Sequence, residues 1–483
     1  MRRTPLIIVL TVWAAALGIV AGFRGEKNES ARAAYSYPAG MIPSGLEQEI
    51  QRVESEVDQI EQQALQEWQK LPINPATRMS QVKVLGKLLL FDKNLSVNRN
   101  EACSFCHMPS TDFTGPISIL NQTTVSYPGS VRSRFGRRKP QSYTYAPFYP
   151  VLLYNQTQQD FYGGNFWDLR ATGYRLQNPA AEQAQDPPID PNEMGFSDTA
   201  CAVLRISQSA YRKVFETVWD EQAFAIQWPP DAEQVCSKPA PATADDPHPV
   251  HLGKADRIRS NITFDQFALA IAMYEASPEV SPFSSKFDYA LASADKKVLS
   301  ADELAGWNLF RGRGKCNTCH LDGTENTAKQ RRPSPISPQN AASVAPLFTD
   351  FTSNNLGLPI NPAIPFYSEN HPDKYGYAAN PAGAAYLDRG VGAFLRGPEN
   401  VNADWKQYAD AFDGKFQTTT LRNVDKRPSP DFVKAYMHNG YLKSLKEVVH
   451  FYNTRDSLGR CKTADDPGQK VKCWPAPEIS QNL

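Results

Sequence analysis

Cys103-Ser104-Phe105-Cys106-His107 decides how this chain folds, and the same pattern returns at Cys316-Asn317-Thr318-Cys319-His320. Two thiols this close can each add across a vinyl group of haem, and the histidine that follows reaches the iron. One pentapeptide therefore specifies cofactor, linkage and axial ligand together. With 8 Cys and 7 His in 483 residues, chance supplies on the order of 0.002 such pentapeptides. A zinc site or a Cys-x-x-Cys redox pair would leave His107 and His320 incidental, and two such coincidences in one chain argue against that reading. The sequence predicts two covalently bound haem c groups, one on Cys103, Cys106 and His107 and one on Cys316, Cys319 and His320.

Working outward, 483 residues are ample for two haem-burying domains. Lys plus Arg equals Asp plus Glu at 51 each, so nothing in the charge balance asks for a nucleic acid partner. With 38 Pro and 28 Gly and a mean hydropathy of -0.48, the chain reads as a loop-rich globule that leans on its cofactors for core. Arg2 and Arg3 precede an uncharged stretch over residues 4–23, the order of a secretory signal. Residues 1–34 are expected to be a signal peptide or an inner-membrane anchor, and the protein to be exported or periplasmic, where covalent haem attachment takes place.

From residue 44 to 71 the apolar residues Leu46, Ile50, Val53, Val57, Ile60, Ala64, Trp68 and Leu71 step by three and four, the period of an amphipathic helix. Such a helix lies on its own domain or pairs with a second copy in a homodimer. Helical periodicity recurs over residues 81–91, 263–274, from Ser300 with Glu303 as a capping box, and over 432–453. Residues 228–249 read as a surface excursion with His248 and His251 at its edge, and 328–346 and 358–381 as loops. Cys201, Cys236, Cys461 and Cys473 remain outside the haem motifs. In an exported chain they should pair, and the shorter loops close at lower entropic cost, which gives Cys201 with Cys236 and Cys461 with Cys473.

Several further segments carry a family likeness: Leu85-Gly86-Lys87-Leu88-Leu89-Leu90-Phe91-Asp92, Phe166-Trp167-Asp168-Leu169-Arg170-Ala171, Asp190-Pro191-Asn192-Glu193-Met194, Thr420-Leu421-Arg422-Asn423-Val424, Tyr436-Met437-His438-Asn439-Gly440 and Phe451-Tyr452-Asn453. With the two haem motifs, and in this order, they resemble the bacterial dihaem cytochrome c peroxidase family, in its MauG-like form. The likeness runs from about residue 85 to 453. It implies a mainly α fold with long irregular loops. After the segment 1–34 and an amphipathic helix within 35–78 come two cytochrome c-like domains, 79–290 with a peroxide-reacting haem and 291–483 with an electron-transfer haem. It also implies Ca2+ between the domains.

The same resemblance assigns residues. Trp167 matches the family tryptophan between the haems, although alone it would read as core packing. Gln183, Pro187 and Glu193 match the distal side of the peroxidatic haem, beyond a loop after Trp167 that is longer here than in the family. Breaking the O–O bond requires one oxygen to lose a proton and the other to gain one, which suits a carboxylate. Glu193 alone would read as a surface acid.

Two departures bear on function. Family members that need reductive activation carry a histidine beyond the first haem motif, and this chain has none between His107 and Trp167, so the first iron should stay open on one face. Fourteen residues beyond His438, where such members place a methionine ligand for the second haem, stands Tyr452. Tyrosinate favours ferric and higher iron, and Met437 is the fallback. The expected activity is peroxide reduction at the first haem, with electrons from a small cytochrome c or cupredoxin passing through the second. A MauG-like oxidation of a partner protein's aromatic residue is the first alternative, and a dihaem electron carrier without catalysis the second.

Overall fold

The computed structural model describes residues 44–240, 246–293, 296–324, 346–463, 465–481 and 483. The expected signal or anchor segment lies outside the described residues, and no described helix is long and apolar enough to cross a membrane. The fold is helix-rich. Among the described residues the strands form three two-stranded pairs: Leu153–Asn155 with Asp160–Tyr162 and Ser353–Asn354 with Phe416–Gln417, both antiparallel, and Gly459–Arg460 with Cys473–Trp474, parallel.

Helix α1, Leu46–Lys70, is the amphipathic helix read from the sequence. Its stripe of Leu46, Ile50, Val53, Val57 and Ala64 is buried within this chain, against α2, Arg78–Phe91. Pro72 and Pro75 separate the two. Helices α3 (Pro179–Ala184), α4 (Thr199–Ser207), α5 (Arg212–Val218) and α6 (Lys254–Glu275) complete the first core. The tightest packing in it joins α2 to α6. A Cβ on Gly86 would lie 2.0 Å from the Ala270 carbonyl oxygen, so only glycine allows these backbones to approach.

The second half begins in space with the helix Lys286–Ser293. Phe287 packs on Trp307 and Phe348, with ring centroids 5.2 and 5.0 Å apart, just ahead of residue 291, where the sequence placed the change of domain. Ser300 then opens α7, Ala301–Arg311, with the expected capping box to Glu303. Helices α8 (Val391–Arg396) and α9 (Leu445–Thr454) follow.

The sequence suggested helix over 432–453, and only its last part is helical. Met437 and Gly440 have left-handed φ of 69° and 57°, which an α-helix does not accommodate, and Tyr436 bridges to Leu442 instead. The helix starts where Ser444 accepts from the Glu447 N–H and Glu447 reaches back to the Lys443 N–H.

Both expected disulfides are formed, Cys201–Cys236 and Cys461–Cys473. Cys461, Asp466 and Cys473 are the only described group of three or more His, Cys, Asp or Glu side chains close enough to share an ion, and the disulfide occupies both sulfurs. Polar contacts tie the halves together: Arg138 to Asp388, Asn423 to Asp112, and Lys443 to the Asn121 carbonyl.

Gly86→Ala is expected to destabilise the protein by about 1–3 kcal/mol through overpacking, despite alanine's better helix propensity. A thermal unfolding midpoint no lower than that of the parent would show that the two helices can move apart.

Candidate active site

The first motif forms a 3-10 turn, Cys103–Phe105, in which the Cys106 N–H donates to the Cys103 carbonyl and the His107 N–H to that of Ser104. Both cysteines are free. His107 Nδ1 lies 3.0 Å from the Phe113 carbonyl oxygen, which leaves Nε2 for a metal. These residues line a cavity of about 380 Å³.

Gln183, Pro187, Glu193 and Trp167 line the same cavity. Gln183 stands on α3, which Pro179 starts and Asn178 caps by accepting from the Ala181 N–H. The turn that follows is closed by the Met194 N–H on the Pro187 carbonyl, and the Ser130 N–H holds the Glu193 carbonyl at 2.7 Å. Glu193 is half-buried. Burial, then Asp190 and Asp186, push its carboxyl well up, with Arg170 opposing them. A carboxyl displaced this way favours its protonated form, which a general acid needs. His107 is the only histidine among the described residues that line the cavity.

Trp167 sits in a tight hairpin closed by the Asn165 N–H on the Ala171 carbonyl. Its indole N–H donates to the Lys139 carbonyl at 3.0 Å, and its ring meets that of His438 edge-on at 6.3 Å. The neighbouring Asp168 is buried. Burial alone would raise its carboxyl, yet the guanidiniums of Arg170, Arg138 and Arg137 outweigh that and hold it well below the usual carboxylate range. Arg138 also binds Asp388 through two contacts of 2.7 Å, and Arg170 binds Asp186 at 2.7 Å. A chain of buried charges thus runs from the cavity into the second half.

The second motif repeats the first. Cys316 and Cys319 are in no disulfide, and His320 Nδ1 lies 3.0 Å from the Phe348 carbonyl. Tyr452 projects from α9 with 53% of its surface open. Burial of its phenol, then Cys319 and Cys316, push it up to about 12. Leu309 and Val449 are 51% and 59% exposed, and α7 buries no residue. A pair of thiols outside any disulfide beside a histidine pinned by Nδ1 fits a covalently attached haem at both motifs.

Residues 80–296 match the protein family described as di-haem cytochrome c peroxidase. The chain is 27% identical over 400 residues to the methylamine utilization protein MauG of Paracoccus denitrificans (strain Pd 1222), covering 83% of this chain and 80% of that protein. It is 24% identical over 401 residues to a cytochrome-c peroxidase of Denitromonas iodatirespirans, covering 81% and 78%. Over residues 80–296 the chain matches the di-haem cytochrome c peroxidase family, and over most of its length it is similar to proteins of that kind. The crystal structure of a diheme peroxidase from Burkholderia thailandensis E264 shares the fold, with a TM-score of 0.53 and 24% identity over 80% of this chain and 73% of that one.

The likeness is to oxidoreductases of the di-haem peroxidase kind, and haem c is the cofactor that the likeness implies. Sequence reasoning missed some of the walls of its first cavity. Phe366, Tyr377 and Ala379 come from the loop that begins near residue 358 and close the cavity from the second half. Their loop composition gave no signal. The basic run Arg137-Arg138-Lys139, which also lines the cavity, was a usable one.

Asp168→Asn, which leaves buried guanidiniums without their counter-charge, is expected to destabilise the protein by about 3–5 kcal/mol at neutral pH. Because the folded-state value is depressed, the wild-type advantage is complete above the unfolded value near pH ~4 and disappears as pH falls through the folded value. Unfolding midpoints of both proteins measured against pH should converge only in strong acid. A constant gap down to that range would mean that the charge is not the cause.

Proposed function

We propose that the protein is an exported dihaem peroxidase that reduces hydrogen peroxide at the first site, with electrons supplied through the second. Cys103, Cys106 and His107 would hold one haem c, and Cys316, Cys319, His320 and Tyr452 the other. When bound, the haems supply an iron that reacts with peroxide and a second that exchanges electrons. The observation that carries the reading is a single cavity that gathers the first motif with Glu193, Gln183 and Pro187 and, among the described residues, no further histidine.

Glu193 would carry the proton from one peroxide oxygen to the other, while Gln183 and Pro187 shape the space around it. A carrier without catalysis would have no use for a displaced carboxyl in such a cavity. Trp167, with its indole N–H anchored and its ring against His438, stands on the route to the second site. Export is supported by the signal-like residues 1–34 and by two disulfides. A small cytochrome c or cupredoxin is the proposed donor.

Tyr452 beside the second thiol pair favours the MauG-like variant, in which the oxidising power reaches a tryptophan or tyrosine of a partner protein. A phenolate ligand holds the second site in oxidised states.

Glu193→Gln is expected to slow peroxide consumption by about 10² to 10⁴, with a protein mass still two haems above the processed chain. Consumption at the parental rate would assign the proton to water or another residue. Tyr452→Phe is expected to raise the reduction potential of the second site and change its spectrum. A silent Tyr452→Phe beside a responsive Met437→Leu would move the ligand to Met437.

A further inference from the structure

The loop from the second half that closes the first cavity carries two tyrosines arranged around one buried cation. Asp373 organises the turn. Its Oδ1 accepts the backbone N–H groups of Tyr375 at 2.8 Å and Tyr377 at 3.0 Å, and its Oδ2 accepts from Arg134 Nε at 2.8 Å. The Asp373 N–H donates to the Tyr377 carbonyl, and the Gly376 N–H to that of Asp373. Gly376 takes the left-handed φ of 82° that this reversal needs.

The Arg134 guanidinium, 2% exposed, lies 4.4 Å from the Tyr377 ring centre and 5.7 Å from that of Tyr375. The two rings are therefore within about 10 Å of each other. Tyr377 lines the first cavity, and Tyr375 is 41% exposed. Arg134 is neutralised by Asp373 and also donates to the Pro191 and Ala240 carbonyls, so the rings see an ion pair rather than a bare charge. The Tyr377 hydroxyl accepts from Asn192 Nδ2 at 3.0 Å, and Asp190 is the carboxylate that acts on it most strongly.

We infer that Tyr377 and Tyr375 form a second exit for oxidising equivalents, from the first cavity directly to the surface and independent of Trp167 and the second site. The inference rests on the reading of the first cavity as the peroxide site. One electron leaves Tyr377 for the peroxide-oxidised site, its O–H bond breaks, and the proton goes to Asp190. Tyr375 then gives an electron across Arg134 and loses its phenolic proton to water, while Tyr377 recovers its own from Asp190. A phenol or a tyrosine side chain presented at the surface reduces the Tyr375 radical, giving up one electron and one proton. Two such passages supply the two electrons and two protons that turn one hydrogen peroxide into two waters.

The experiment is a peroxide pulse on the full holoprotein with a nitroso spin trap, followed by electron paramagnetic resonance and peptide mapping, with the visible spectrum recorded in parallel. The expected result is a tyrosyl signal with the adduct on Tyr375, lost in Tyr375→Phe and also lost in Tyr377→Phe. Trp167→Phe, which interrupts the other route, should retain or strengthen it. A visible response to peroxide without an adduct on Tyr375, or an adduct that survives Tyr377→Phe, overturns this exit and leaves the peroxide site standing. No visible response at all overturns both.

Discussion

A histidine that must present Nε2 to a metal has to be held by its other nitrogen, and the rest of this structure depends on how that is done. At both motifs a backbone carbonyl takes Nδ1 at 3.0 Å, from Phe113 for His107 and from Phe348 for His320. Both phenylalanines adopt a left-handed backbone, φ 51° and 52°, which costs a bulky residue about 1–2 kcal/mol. Ring packing offsets that strain. Phe113 rests on Tyr143 at 4.9 Å, and Phe348 on Phe287 at 5.0 Å and Phe310 at 5.9 Å. Aromatic packing thus holds a strained residue, the strained residue aims a carbonyl, and the carbonyl fixes the imidazole tautomer.

Around this shared device the two sites differ. The first is enclosed by residues from both halves of the chain, with Glu193, Asp186 and Asp190 among its walls. The second packs against α7, which buries no residue, and α9 leaves Val449 and Tyr452 exposed. Enclosure strengthens electrostatics and shifts carboxyls towards their protonated form, whereas an exposed site offers an edge close to a docking partner. The contrast supports the proposed division of labour, since nothing in the two pentapeptides themselves distinguishes the sites.

What the sequence made legible follows from the range of each signal. The haem motifs, α1, the Ser300 capping box and both disulfides are local patterns or short loops, and each is where it was read. Glu193, Gln183 and Pro187 were read only through the register of a resemblance, because no local pattern links Gln183 on α3 to Glu193 ten residues on. The segment 432–444 misled because its apolar spacing is helical while Met437 and Gly440 require left-handed backbone. The wall contributed by Phe366 and Tyr377 was invisible. It is fixed by Arg134 pairing with Asp373 across 239 residues, and composition carries no trace of such a contact.

The buried ion pairs around Trp167 make sense on this view as positioning rather than stabilising elements. Asp186, Arg170, Asp168, Arg138 and Asp388 form a continuous series of contacts between 2.7 and 3.1 Å. Desolvating that many charges largely cancels their attraction, and a well-packed apolar cluster would hold the hairpin as well. What apolar packing lacks is direction. Trp167 is flanked by Phe166 and Leu169, both left-handed at φ 66°, so its hairpin is strained and needs several fixed points to keep one geometry. Asp168 and Arg170 supply these from within the hairpin, Arg138 from the segment that also provides the Lys139 carbonyl for the indole, and Asp388 from the other half. Electron transfer falls steeply with distance, and a ring between two cofactors is useful only if both halves of the chain agree on where it stands. An ion-pair series that crosses from one half to the other imposes that agreement.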